Sequence, residues 1–348
     1  MPAVKHGDLT VFATRVLSSI GMPADHAAAT AECLVSANLR GLDSHGVLRL
    51  LQYAETVREG RVRPDPAVTV RRPRGGHPLV DAGGGYGYVP TLLAADLAVR
   101  TAAERGVGVA GVRNSHHFGM GATYVERIAR AGLAGIVLSN TGPVLAPPGV
   151  RRPLLGNNPL AIAIPRRAPH PPIVLDMAMS QTAFGRIRLA AAESREIPEG
   201  WALDADGRPT TDARTALAAG LLAPMGGHKG FGLALIVDLL AGVLTGSRFG
   251  ARADAHDHPD GGVGHLVIAI SPELFLDRTE FETRVEELVG QLRAGDVRDA
   301  VLLPGEREQH TERERRRHGI EISADLAAQL AALARTLGVP DPFDGSES

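Results

Sequence analysis

Residues 107–121, VGVAGVRNSHHFGMG, constrain the fold of this chain more than any other stretch. Val107, Val109 and Val112 are β-branched and separated only by glycine and alanine, which reads as a strand. The run breaks at Arg113-Asn114-Ser115, presents two adjacent histidines, and passes through Gly119-Met120-Gly121-Ala122 into a helical pattern. A strand end that delivers titratable groups onto a helix start calls for an α/β or α+β fold, and such junctions commonly hold chemistry. Imidazole is the only unperturbed side chain that titrates near neutral pH, so it suits proton transfer. Taken alone, the stretch is equally readable as two hydrogen-bonded histidines in an ordinary turn.

Helical periodicity flanks this junction. Apolar stripes mark helices at residues 8–20, with Asp8 as N-cap, at about 24–39, and through Leu48, Leu51, Tyr53 and Val57. Residues 61–74, rich in proline and arginine, read as a connector. Beyond it come a short strand at 79–82, the GGGYG turn at 83–87 and a helix at about 90–105. Past residue 121 the pattern predicts a helix at 122–131 and strands at 134–139, 160–164, 173–176 and 266–270. An apolar helix at 230–244 and helical stripes at 281–292 and 326–337 complete it, with a solvated charged helix at 306–317. This mixture is not a strict βαβ alternation. No G-x-G-x-x-G stands between a strand and a helix, so a Rossmann fold is not supported.

At 348 residues the chain has ample length for a core, and 44% hydrophobic content with a mean hydropathy near zero marks a globular protein. Lys+Arg of 37 against Asp+Glu of 39 supplies no general attraction to nucleic acid or anionic membrane. Aromatic residues are scarce, and Trp201 is the sole tryptophan, so there is no base-stacking platform. The single cysteine, Cys33, rules out an internal disulfide. His6, Asp8 and Arg15 interrupt any signal-peptide pattern, and no charge-free run reaches transmembrane length. The expectation is a cytoplasmic protein with no membrane or nucleic-acid partner.

Four clusters carry chemistry. In Asp43-Ser44-His45-Gly46, a restarting helix would put Ser44 and His45 at an anion-favouring N-terminus, with Arg49 one turn on. An arginine fork holds a carboxylate in two places while a neighbouring imidazole passes a proton to a carbonyl oxygen. The bland alternative is a capped helix and a surface ion pair. The second cluster is Asn114-Ser115-His116-His117-Phe118-Gly119; adjacent side chains diverge, so one histidine at most serves a given site. The third is the apolar strand ending in Asp176-Met177-Ala178, where the carboxylate could orient a histidine, bind a cofactor hydroxyl or simply cap a helix. The fourth, Gly226-Gly227-His228-Lys229-Gly230, precedes the apolar helix and suits a phosphate, although it is no Walker A motif. Asp254-Ala255-His256-Asp257-His258 has metal-capable side chains in a loop with nothing to pre-organise them, so no metal site is expected.

Together these words resemble the malate/L-lactate dehydrogenase family, a group of non-Rossmann NAD(P)-dependent oxidoreductases with ureidoglycolate, sulfolactate, diketogulonate and cyclic-ketimine relatives. The matching words are D-S-H-G-V-L-R at 43–49, N-S-H-H-F-G at 114–119, L-G-N-N-P at 155–159 and L-D-M-A at 175–178. They continue with I-P-E-G-W-A-L-D at 197–204, G-R-P-T-T-D at 207–212, G-G-H-K-G-F-G-L-A-L at 226–235 and L-P-G-E at 303–306.

The resemblance implies an α+β protein in which a mixed, largely antiparallel sheet forms the cofactor domain, residues 76–275. A helical domain would draw on both termini, residues 1–75 and 276–348. It implies a homodimer with active sites near the interface, NAD or NADP as cofactor, and a small carboxylate-bearing substrate. By the same resemblance, Ser44, His45, His117 and Asp176 are catalytic, and Arg49 and Asn157 bind substrate. His117, Phe118, Gly119, Ser139, Asn140, Thr141, Asp176, Met177, Ala178, His228, Lys229 and Gly305 line the cofactor. His116 falls at the variable position, so its replacement is expected to be nearly silent.

Two departures stand out: Asn157 where many members have threonine, and Arg186 where dehydrogenases commonly carry lysine and ketimine reducers an acidic residue. The reaction implied is reversible reduction of a 2-oxo acid to a 2-hydroxy acid. Cyclic ketimine reduction is the nearest alternative. A metal-dependent hydrolase using His116, His117, His256 and His258, and a non-catalytic nucleotide binder, are more distant ones.

Overall fold

The computed structural model describes residues 3–73, 75–147, 149–253, 258–294 and 301–343. Its centre is a seven-stranded sheet: β1 (Thr69–Arg71), β2 (Leu79–Asp81), β3 (Val107–Ser115), β4 (Ala134–Ser139), β5 (Leu160–Ile164), β6 (Ile173–Met177) and β7 (Val263–Ile270). The spatial order is β1-β2-β3-β7-β4-β5-β6. Only β2 and β3 run parallel; every other neighbouring pair is antiparallel. The sheet is therefore mixed and largely antiparallel, without the parallel crossovers a Rossmann fold requires.

Eleven α-helices surround it among the described residues: α1 (His6–Ser19), α2 (Ala24–Leu39), α3 (Arg49–Arg58), α4 (Tyr88–Arg105), α5 (Ala122–Arg130), α6 (Phe184–Ala192), α7 (Ala213–Ala219), α8 (His228–Val237), α9 (Arg278–Arg293), α10 (Glu306–His318) and α11 (Ala324–Leu337). Strand alternation splits the sheet's apolar residues between two faces. Ala110, Val112, Val137, Ala161 and Val267 bury against alanine-rich α4 and amphipathic α5. Leu138 and Leu266 bury on the opposite face against Val237 and Ala241. A separate core joins α1–α3 to Ile320, Leu330 and Ala334 near the C-terminus. There, Ile320–Glu321 pairs with Ala3–Val4.

The sequence reading needs correction in four places. The strand at 107 does not break at Arg113; it runs to Ser115, because the ladder shifts register opposite Val263–His265 and Asn114 takes a φ of 52°. Such a bulge re-aims a strand without ending it. The connector at 61–74 contains edge strand β1, whose side chains are all exposed and so give no apolar signal. Helix α1 is preceded by Lys5, and Asp8 lies inside its first turn. The apolar helix is α-helical only to Val237, and Asp238–Val243 are wound as a π-helix. On α9, Glu286 accepts from Arg166, beyond β5, at 2.9 and 2.6 Å.

Candidate active site

Three walls meet around His45 and His117. The first is the D-S-H-G turn. Asp43–His45 form a single 3-10 turn, separate from α3, which starts at Arg49. Ser44 Oγ lies 3.0 Å from His45 Nδ1, which fixes the ring's orientation. Arg49 donates from Nε to the Ser44 carbonyl at 2.8 Å and from Nη1 to Gln52 at 2.7 Å. A guanidinium has five N–H donors, so three remain for a ligand. Burial, and next the Arg49 charge, push the His45 pKa from 6.5 down to about 4. The ring is neutral at physiological pH.

The second wall is the strand exit of β3. His45 and His117 stack with ring centroids 5.7 Å apart and planes at 26°. Tyr53 on α3 is buried, and its hydroxyl is 2.5 Å from His117 Nδ1 and 2.9 Å from the Tyr88 hydroxyl. Burial holds both phenols well above their ordinary pKa, so they stay protonated and serve as donors. The backbone here is tied to the GGGYG turn: His116 N donates to Gly85 O at 3.1 Å, and Gly87 N donates to His117 O at 3.0 Å. His116 is wholly buried beside Tyr86, at 6.5 Å between ring centroids, and takes no part in the His45 stack. It is a core residue, set apart from the two stacked rings.

The third wall runs from Asp176 to α6. Asp176 accepts from Ala122 N at 2.8 Å, capping α5 directly after the histidine stretch. Burial outweighs that bond and lifts its carboxyl to about 6. The bond to Ala122 N fits the helix-cap reading. Met177 and Ala178 follow at partial exposure. Met179 N donates to Asn157 O at 2.7 Å, and Thr141 Oγ1 donates to Asn157 Oδ1 at 2.8 Å, which brings two predicted site residues, Thr141 and Asn157, together beside this strand end. A side chain at Gly185, in the first turn of α6, would lie 3.8 Å from Ser44 Cβ, so this wall reaches the first.

Two predicted cofactor residues are instead turned into the interior. Asn140 donates to Asp238 and to Arg248 O and accepts from Gly264 N, all at 2.8 Å. Ser139 Oγ lies 2.9 Å from His265 Nδ1. Their side chains hold β4 to its neighbours and present no polar group to a ligand. His265, which sequence reading missed, also lies 2.9 Å from Ser115 Oγ through Nε2 and stacks on Phe118 at 4.5 Å. Phe118 and Gly119 thus stand on a buried aromatic layer, not free in a loop.

The residues fit a dinucleotide cofactor in one respect that the structure itself supplies. Gly226 and Gly227 have φ of 58° and 64°, and a side chain at either would meet open space. His228 and Lys229, both exposed, then begin α8, whose free backbone N–H groups favour a diphosphate. This loop adjoins the third wall, since Gly230 N donates to Met225 O and Met225 N donates to Met179 O, each at 2.9 Å. Gly305, just before α10, packs on Val174 of β6 at the sheet's edge. Of the acidic-histidine loop, residues 254–257 lie outside the described residues; His258 Nδ1 accepts from Asp260 N at 3.3 Å. Among the described residues no group of three or more His, Cys, Asp or Glu side chains is placed to hold a metal, and no helix is long and apolar enough to cross a membrane.

Comparison with known proteins agrees with this geometry. A sequence model described as malate/L-lactate dehydrogenase matches residues 4–331. The (2R)-3-sulfolactate dehydrogenase (NADP(+)) of Chromohalobacter salexigens is 38% identical over 325 residues, covering 92% of this chain and 95% of its own. The Δ1-pyrroline-2-carboxylate/Δ1-piperideine-2-carboxylate reductase of Pseudomonas putida is 37% identical over 306 residues, 87% of each chain. The solved sulfolactate dehydrogenase of Methanocaldococcus jannaschii superposes with a TM-score of 0.90 at 34% identity, covering 99% of both chains.

Proposed function

The chain belongs to the malate/L-lactate dehydrogenase family, and from that premise we propose that it interconverts a 2-oxo acid and a 2-hydroxy acid with NAD or NADP. The observation that carries this reading is the stacked His45–His117 pair beside Arg49, with Ser44 and Tyr53 fixing one ring nitrogen of each. When bound, the nicotinamide supplies or accepts hydride at the carbon next to the substrate carboxylate.

The chain's own residues do the rest. Arg49 takes the carboxylate with the donors that Ser44 O and Gln52 leave over. His45, held neutral by its surroundings, accepts the hydroxyl proton in oxidation and returns it to the carbonyl oxygen in reduction. A bound carboxylate offsets the Arg49 charge and so favours the protonated ring that reduction needs. His117 backs the His45 ring, with Tyr53 and Tyr88 donating in sequence toward its Nδ1. Asn157 lines the substrate side, and Gly226–Lys229 receives the cofactor's phosphates.

The pyrroline and piperideine carboxylate reductase at 37% identity supports a second reading, reduction of a cyclic ketimine carboxylate. Arg186 speaks against it, since a relay acid is missing there. The deciding experiment is oxidation of NADH and of NADPH against a panel of 2-oxo acids, a sulfonated one included, and cyclic imines. Turnover of the imines alone would replace the hydroxy-acid reading with the ketimine one.

A homodimer is part of the same proposal. Ile236, Leu239, Val243 and Leu244 are exposed at helical spacing along α8 and its π-wound continuation. That stripe is an unpaired apolar face of the kind an isologous interface covers. Sedimentation of wild type and Leu244→Glu tests it: a dimer that the charge dissociates supports the stripe, and a monomeric wild type removes it.

A further inference from the structure

The turn that carries Ser44 and His45 is too short to hold itself: one 3-10 turn makes few bonds of its own. What holds it comes from far away in the chain. Arg315, near the C-terminal end of α10, grips the Asp43 carboxylate with both arms, Nη1 to Oδ1 at 2.7 Å and Nη2 to Oδ2 at 3.1 Å. The same Nη1 donates to the Asn38 carbonyl at the end of α2. Asn38 closes the other side: its Nδ2 donates to Asp43 Oδ1 at 2.7 Å, and its Oδ1 accepts from Val47 N at 2.8 Å. Gly46 has to be glycine, because a Cβ there would fall 2.2 Å from Asn38 Oδ1. The turn is thus clipped from outside at Asp43 and Val47, on either side of Ser44 and His45.

We infer that Asp43 and Arg315 are positioning residues for His45, a bidentate clip that sets where its imidazole stands over His117. The inference rests on the reading of His45 as the proton-transferring group. A two-point guanidinium–carboxylate pair fixes orientation as well as distance, which a single bond to the turn does not. Losing it lets the turn pivot about Asn38 while α2, α10 and the cofactor loop stay in place. Displacement of a reacting group by about 1 Å costs on the order of 10²-fold in rate.

The test compares purified wild type, Arg315→Ala, Arg315→Lys, Asp43→Asn and His45→Ala on the 2-oxo acid that the panel identifies. The measurements are kcat, KM, melting temperature, and NADH or NADPH affinity by nucleotide fluorescence. Expected for Arg315→Ala and Asp43→Asn is a kcat lowered about 10²-fold, with cofactor affinity within about twofold of wild type. Arg315→Lys should fall between, since it keeps the charge and loses the fork. Added guanidinium ion should restore part of the Arg315→Ala rate and none of the Asp43→Asn rate. Near-wild-type kcat in both, with His45→Ala disabled, overturns the clip. So does a loss that tracks unfolding or weakened cofactor binding and resists rescue. An active His45→Ala strikes the reading of His45 itself, and the clip falls with it. Should Arg315→Ala fail to fold, Arg315→Lys and Asp43→Asn carry the comparison.

Discussion

Two histidines in this molecule sit beside serine hydroxyls at almost the same distance, in opposite settings. His45 lies 3.0 Å from Ser44 on a half-exposed turn, with one ring nitrogen engaged. His265 lies 2.9 Å from both Ser139 and Ser115, wholly buried on the central strand, with both nitrogens engaged. Each hydroxyl also lies near a carbonyl, Ser115 by His116 O and Ser139 by Asn140 O. A serine has one proton to give, so a neutral His265 donates to one serine and accepts from the other. Burial holds it neutral, its pKa lowered to about 3. Both rings are therefore neutral at pH 7, for the same physical cause. What separates them is a half-exposed turn beside an arginine, not the serine–histidine pair.

The sharpest way to break that contrast is His45→Ala. Turnover should fall roughly 10²–10⁴-fold with cofactor binding retained, read as kcat beside nucleotide fluorescence. In the wild type, kcat/KM for oxidation should stay level below neutral pH and fall only toward about pH 4, where His45 takes its proton. A limb near 6.5 would mean that the ring is solvated and does not share with His265 the burial that lowers its pKa.

His265 should fail differently. His265→Ala removes a buried ring from between Ser115, Ser139 and Phe118 and leaves two hydroxyls short of a partner, at a cost of about 3 kcal/mol. Denaturant unfolding measures it. The native pKa lies below the unfolded value of 6.5, so the unfolded chain binds more protons in between. The stability His265 contributes is full above about pH 6.5 and is lost as pH falls toward 3. His265→Gln should flatten that acid slope while leaving kcat high. An unchanged slope would show that another group carries it. Asp176 works against it, because its raised carboxyl destabilises the native state as pH climbs through about 6.

The comparison also marks what the sequence could and could not disclose. Residues 43–49 and 114–119 were legible because they interrupt periodic segments with polar, titratable groups. His265 was not: it lies just before the run at 266–270 that reads as a strand, and only the structure extends that strand back to Val263. Its partners come from strands 126 and 150 residues away, a pairing that only the order β3-β7-β4 creates. The interior side-chain bonds of Ser139 and Asn140 are hidden for the same reason, since a polar residue at a strand end looks identical whether it meets ligand or neighbour. Arg315 was hidden in a charged helix that read correctly as solvated, because a run of both signs conceals the one arginine whose partner is remote.

Within the His45 turn, Arg49→Lys probes a smaller effect. Lysine keeps the charge but loses the fork, and it gives up the paired bonds to Ser44 O and Gln52. The loss should appear mainly as a raised KM for substrates bearing a carboxylate, about 10-fold from one lost charged bond. Equal loss on an analogue lacking that carboxylate would detach Arg49 from substrate binding.

Asp176→Ala should have the smallest effect, and it separates two roles that sequence reading left open. The carboxylate accepts the Ala122 amide at 2.8 Å. As a cap, its removal costs about 1 kcal/mol of stability, readable in denaturant, while kcat moves little. Because its carboxyl is raised to about 6, the penalty of removal should shrink as the buffer moves from acid to neutral, where the ionised form is the less comfortable guest. Should the alanine variant instead lose turnover by orders of magnitude at unchanged stability, Asp176 belongs with the histidines. The division between reacting and supporting groups would then run through the third wall instead of around it.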